Sequence, residues 1–122
     1  MFSAQFLSEV VACALDIACH ARNEDHLQSC DVLYGKFVAE CKELAEAEVI
    51  WDEIPDVCYY ALCLAAQGEN YALSQVEYEI LPRYKISEKQ AEAATLAKYR
   101  RRAAGEPKNV EAERAARMAA IR

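Results

Sequence analysis

Two pairs of carboxylates, Glu40-Cys41-Lys42-Glu43 and Glu53-Ile54-Pro55-Asp56, carry the chemistry most visible in this chain. They mirror each other about residue 48. If the chain is helical on each side and folds back near that point, Glu43 lies level with Glu53 and Glu40 with Asp56. Residues three apart share a helix face, so all four acids are expected to converge between two antiparallel helices. Carboxylates that face one another repel unless a cation sits among them. Oxygen-only donors favour magnesium, manganese or calcium over zinc or copper. A hard metal in turn points to phosphate chemistry. Each acid taken singly fits a solvated helix face just as well, and Glu53 and Asp56 near a helix N-terminus are favourable by tenths up to about 1 kcal/mol. Glu46 and Glu48 fit neither spacing and read as surface residues.

The elements that must position these acids are helices. Only three Gly and three Pro occur in 122 residues, and Ala, Leu, Glu, Lys and Arg are abundant, so the fold class is all-α. We expect an antiparallel four-helix-bundle-like domain with an extra C-terminal helix. It forms a single domain over 1–122, with its core at about 3–105 and a basic segment at 106–122. A first helix runs from Ser3 or Ala4 to about Ala21, with Phe6, Val10, Cys13 and Ile17 at helical spacing. Arg22-Asn23-Glu24-Asp25 is a polar break. A second helix spans about Leu27 to Ala47 with an apolar stripe of Leu33, Phe37, Cys41 and Leu44. Glu40 belongs to the inward edge of that stripe, where an acid costs energy unless paired or metal-bound. Glu48–Trp51 is the expected turn, and Asp52 the N-cap of the third helix, with Pro55 in its first turn. Val57–Ala66 is apolar on nearly every face and therefore central; Gln67-Gly68 ends it. Residues 70–80 read as a short helix ending before Pro82. Ser87-Glu88-Lys89-Gln90 is a capping box opening a long helix that carries Ala91, Ala94, Leu96 and Tyr99 and stops at Gly105-Glu106-Pro107. A last, mostly surface helix is expected over 110–121.

Net charge is −6, unevenly spread. Residues 1–82 hold 15 acids and 3 bases, giving −12, and residues 83–122 hold 5 acids and 11 bases, giving +6. The basic part either pairs with the acidic body or binds a polyanion, and the two are compatible. The cysteines at 13, 19, 30, 41, 58 and 63 form no CxxC pair and read as reduced core thiols. No run of about 18 uncharged apolar residues is present, which excludes a membrane span. The apolar stretch Phe2–Ala18 carries Glu9 and Asp16 with no basic residue before it, unlike a secretory signal. The expected location is cytoplasmic. A diiron centre of the Glu-x-x-His type is excluded, because neither His20 nor His26 follows a Glu at that spacing.

Glu40-x-x-Glu43-Leu44 followed by Glu53-x-x-Asp56-Val57, with an apolar run after it, resembles the signature of the all-α nucleotide pyrophosphohydrolases. These are the MazG-like enzymes, related to the dimeric dUTPases and to phosphoribosyl-ATP pyrophosphohydrolase. Ala97-Lys98-Tyr99-Arg100-Arg101-Arg102-Ala103-x-Gly105-x-Pro107-Lys108-Asn109 is similar to the basic region with which such proteins hold phosphates. The resemblance covers roughly residues 33–111. It implies Mg²⁺, with Mn²⁺ as a substitute, cleavage of an NTP or dNTP to the monophosphate and pyrophosphate, and a homodimer or homotetramer. Two departures stand out: nine residues separate Glu43 from Glu53, fewer than in most relatives, and Ala39 stands where many carry a further Glu.

On this resemblance Glu40, Glu43 and Asp56 are metal ligands, and Glu53 is a ligand or the base that orients water. Lys98, Arg102 and Lys108 would hold the phosphate tail, unless they form a solvated basic face. Asn109 contacts phosphate or caps the last helix. Trp51, Tyr34, Tyr59 and Tyr60 are aromatics near the acids that would stack on a base or pack the core, and the base-binding residues are not legible. Two rivals stand beside the enzyme: a non-catalytic helical interaction protein that retains the fold, and a nucleic-acid adaptor using Lys98–Arg102. Net acidity opposes the second, and no nucleic-acid partner is expected.

Overall fold

The structure is a computed structural model that describes residues 1–21 and 28–122, the side chains of His20 and Ala21 excepted. The expected break at Arg22–Asp25, the helix start at Leu27 and the side chains of both histidines lie outside the described residues.

Helices make up the described residues, with no strand among them. Helix α1 (Ala4–Ala21) begins where Ser3 Oγ accepts the Phe6 N–H at 3.1 Å. It buries Phe2, Phe6, Val10, Cys13, Ala14 and Ile17, one stripe of a 3.6-residue repeat. Helix α2 (Cys30–Glu46) starts at Cys30, because Ser29 is extended and its hydroxyl caps the Val32 N–H. Leu33, Phe37 and Leu44 are buried as expected, and Cys41 is half-buried. A single 3₁₀ turn (Ile50–Asp52) then leads into α3 (Ile54–Ala66).

Helix α3 is the centre of the molecule and packs against α1, α2 and α6. Ile54, Pro55, Val57, Cys58, Tyr59, Ala61, Leu62, Cys63 and Leu64 are all buried, so water is kept from nearly every face. Pro55 sits in the first turn, where no intrahelical N–H is lost. Gly68, at φ 88°, ends the helix; its N–H reaches Ala65 O and the Glu69 N–H reaches Leu64 O, both at 3.0 Å. Asp52 is not the N-cap of this helix. Glu53 holds that position with no side-chain cap bond, and Asp52 is bonded elsewhere.

The segment after residue 70 also differs from expectation. Helix α4 (Tyr71–Gln75) passes through a π turn (Val76–Ile80) into α5 (Leu81–Arg83), so helical structure continues through Pro82. Proline cannot donate to the carbonyl four residues back and crowds it. The wider turn, in which the Leu81 N–H reaches Val76 O, carries the chain past this obstacle.

Helix α6 (Glu88–Ala103) opens with the full capping box, Ser87 and Gln90 each bonding the other's backbone N–H. Ala91, Ala94, Thr95 and Tyr99 are buried and Leu96 is half-buried. Helix α7 (Val110–Ile121) folds back along α6. It is mostly exposed, as expected, but it buries Glu113 and Arg117, two residues that charge alone would place outside. Of the cysteines, all six free, Cys13, Cys58 and Cys63 are buried, Cys30 and Cys41 are half-buried and Cys19 is exposed. Cys19 is therefore no core thiol. Among the described residues no helix is long and apolar enough to cross a membrane.

Candidate metal and phosphate site

Helices α2 and α3 run antiparallel, as the mirrored acids require. Lys36 Nζ lies 5.8 Å from the centre of the Tyr60 ring, and Cys30 Sγ donates to Gln67 Oε1 at 3.4 Å. The first contact is symmetric about residue 48, as the acids are, and the second is within one residue of it. The short link brings Glu40, Glu43 and Glu53 together where the hairpin turns.

Glu40, Glu43 and Glu53 each bring a carboxylate oxygen within 4.8 Å of the other two. Ligands on opposite sides of an octahedral Mg²⁺ stand ~4.2 Å apart, twice the ~2.1 Å Mg–O bond. The trio is thus near coordinating distance already. Glu40 Oε2 is buried and meets no hydrogen-bond donor, because its neighbours are carboxylates, which donate only when protonated. Burial above all, then the charges of Asp56, Glu43 and Glu53, push the Glu40 carboxyl up to about 8. Burial, with Glu43 and Asp56, also raises Glu53. An all-oxygen set, with a buried acceptor lacking any donor, fits a hard divalent cation.

Asp56 stands beside the trio but is differently engaged. Its Oδ1 accepts from Lys98 Nζ at 2.6 Å and from the Tyr99 hydroxyl. Tyr99 is itself clamped face to face on Tyr59, with ring centres 4.1 Å apart and planes 7° from parallel. Asp56 thus has one oxygen committed to α6 before any cation arrives. The Tyr99 hydroxyl is held well above its usual pKa by burial and by Asp56, and so remains a donor. Tyr99→Phe removes this one charged-acceptor bond. It is expected to lower stability by about 1–3 kcal/mol in denaturant titrations, with helical content unchanged.

Lys98, Lys108, Arg114 and Arg117 line a cleft of about 510 Å³. The same cleft is lined by Glu40, Glu43, Asp52, Glu53, Asp56 and Glu113. Of the expected phosphate-holding residues, Lys98 and Lys108 line this cleft. Arg102 does not line the cleft: its Nε and a terminal nitrogen both bond Glu113 Oε1, at 3.0 and 2.9 Å. Asn109 caps α7 through the Ala112 N–H at 3.0 Å and does not line the cleft, so of its two expected roles the structure places it in the capping one. Tyr59 packs in the core, and Trp51, Tyr34, Tyr59 and Tyr60 are all absent from the cleft lining.

Asp52, Glu113, Arg114 and Arg117 are cleft residues that sequence reasoning missed. Arg114 Nε and Nη2 grip Asp52 Oδ1 and Oδ2 at 3.0 and 2.6 Å, and Arg117 Nη2 adds a bond to Oδ1 at 2.5 Å. Arg114 above all, and then Arg117, hold the Asp52 carboxyl below its usual pKa. The available signal was Arg114-x-x-Arg117, two bases on one helix face directly after the Gly105–Pro107 break. Part of the charge asymmetry of the chain resolves into pairs of this kind. Lys98–Asp56, Arg100–Glu9 and Arg114–Asp52 each join the basic C-terminal part to the acidic body.

Comparison with family models, with curated proteins and with solved structures finds no match to this chain.

Proposed function

We propose that the chain is a Mg²⁺-dependent nucleotide pyrophosphohydrolase that converts an NTP or dNTP to the monophosphate and pyrophosphate. One observation carries this reading: three carboxylates from a helical hairpin converge in a cleft that Lys98 and Lys108 also line. Such a cleft suits a ligand that is itself a cation bound to a polyanion. Glu40, Glu43 and Glu53 would hold the divalent ion, with the remaining oxygen of Asp56 beside them. When bound, that ion neutralises phosphate charge and lowers the pKa of a coordinated water.

The rest falls to the protein. Lys108 has no carboxylate partner among the described residues and is the cation most available to an arriving phosphate. Lys98, already held by Asp56, fixes the height at which the phosphates lie. The oxygen of water bonds to the first phosphorus, the bridging P–O bond to the second phosphate breaks, and pyrophosphate leaves. Glu53, whose proton affinity burial raises, takes the proton of that water. The proposal includes Mn²⁺ as a substitute ion, an antiparallel four-helix-bundle-like fold, a homodimer or homotetramer and a cytoplasmic setting.

A panel of NTPs and dNTPs with Mg²⁺ is the test. Pyrophosphate should accumulate in step with monophosphate. Release of single phosphates, or no release across the panel at micromolar protein, overturns the reading. A non-catalytic interaction protein is the second reading. It is favoured by the internal pairing of Asp52 and Asp56, which neutralises part of the cleft without any ligand. A nucleic-acid adaptor has less support, because several of its cations already face carboxylates. Titration with duplex DNA at physiological salt is expected to show no binding.

A further inference from the structure

We propose that Arg114 and Arg117 form a phosphate clamp that Asp52 occupies in the free protein and surrenders to an incoming oligophosphate. The substrate class rests on the pyrophosphohydrolase reading; the clamp itself does not, and is tested with an inorganic anion.

Two guanidinium groups converge on one carboxylate, Arg114 through two nitrogens and Arg117 through one. A planar fork presented to two oxygens is the geometry by which arginine holds phosphate as readily as carboxylate. The clamp is incompletely used by its present occupant. The Arg117 side chain is 5% exposed, and its Nε is buried with no hydrogen-bond partner although the residue lines the cleft. A carboxylate offers two oxygens, already shared among three donor nitrogens. A phosphate brings at least three around a tetrahedral centre, enough to reach the idle Nε. Asp52 sits one residue before Glu53, so a phosphate seated in its place lies beside the acid trio.

Charge sets the order of events. With Glu40 holding its proton, the metal-free cleft still has five other acids, Glu43, Asp52, Glu53, Asp56 and Glu113, against four bases, so a bare polyanion gains no net attraction. A divalent cation at the trio cancels that excess. Oligophosphate binding is therefore expected to require Mg²⁺.

Calorimetric titration with inorganic tripolyphosphate supplies the test, on the full chain with and without Mg²⁺. Wild type should bind only with the metal. Arg114→Gln, at a half-exposed side chain, should weaken binding roughly tenfold, as expected for the loss of a charged hydrogen-bond pair. Asp52→Asn should tighten it about threefold or more, because the internal competitor then carries no charge. Arg117→Lys, which keeps charge but loses the fork, should weaken binding, and if it does not fold the Arg114 and Asp52 variants decide the matter. The proposal is overturned if tripolyphosphate does not bind, if Arg114→Gln binds as wild type does, or if Asp52→Asn binds more weakly. Tripolyphosphate binding with these shifts but no NTP cleavage keeps the clamp and removes the pyrophosphohydrolase reading. Cleavage of NTP with KM and tripolyphosphate affinity unmoved in Arg114→Gln does the reverse.

Discussion

Glu40→Gln is expected to reduce Mg²⁺-dependent nucleotide turnover by roughly a thousandfold while leaving the circular dichroism of the helices unchanged. The loss follows from position. Glu40 contributes the most buried oxygen of the trio, and that oxygen has no donor to satisfy it. Replacing the carboxylate by an amide removes one charge from a cation that works by charge, an effect of several kcal/mol, with each ~1.4 kcal/mol worth a factor of ten in rate. The same substitution should stabilise the metal-free protein at pH 8. Its amide donates to Glu43 or Glu53, where two carboxylates would repel. Turnover and thermal melting therefore move in opposite directions. A mutant that keeps activity within about tenfold of wild type would exclude the trio as the site.

Metal binding and stability should both depend on pH through Glu40, in opposite senses. Its carboxyl is raised from 4.5 to about 8, so at neutral pH the metal-free fold holds a proton that a coordinated carboxylate must give up. Mg²⁺ affinity is expected to climb between pH 6 and about 8, with release of about one proton per site at pH 7. Calorimetry in two buffers of different ionisation enthalpy measures that proton directly. For stability, the folded chain binds more protons than the unfolded one between 4.5 and about 8. The contribution of Glu40 is therefore fully present below 4.5 and is lost as pH rises through about 8. Glu53 is raised as well and adds in the same direction. Asp52 is lowered, so its contribution is lost only as pH falls through the acid range, outside this window. Urea titrations of the metal-free protein at pH 5 and pH 8.5 should show the loss, and saturating Mg²⁺ should reduce it. A flat profile would mean that Glu40 is not shielded from water as the structure has it.

Most of the helices were legible because their ends are written in local chemistry. Ser87 and Gln90 bracket the start of α6, Gly68 and Gly105 supply the positive φ at which α3 and α6 stop, and Asn109 caps α7. These interactions reach three or four residues along the chain, so a short window contains them whole. The centrality of α3 was legible for a related reason: a helix apolar on every face has nowhere to go but inside. The failures share the opposite cause. Pro82 reads as a helix breaker, yet the chain widens one turn between the buried Val76 and Leu81 and continues. Asp52 reads as a cap because caps are local, yet its partners lie 62 and 65 residues away.

The cleft divides along the same line. Glu40, Glu43 and Glu53 could be assembled on paper because a hairpin with a short link relates them by one symmetry, and helical spacing does the rest. The basic wall could not. Arg102 and Arg114 carry the same group, three residues before and nine residues after Gly105. Which one turns toward the acids depends on how α7 lies on α6. That docking angle comes from side chains interlocking between helices, and no periodicity along a single strand of residues encodes it. The chain's own order thus specified which acids of the hairpin come together. Folding in three dimensions assigned the cations, because an arginine's partner is set by what stands opposite it across a packed interface.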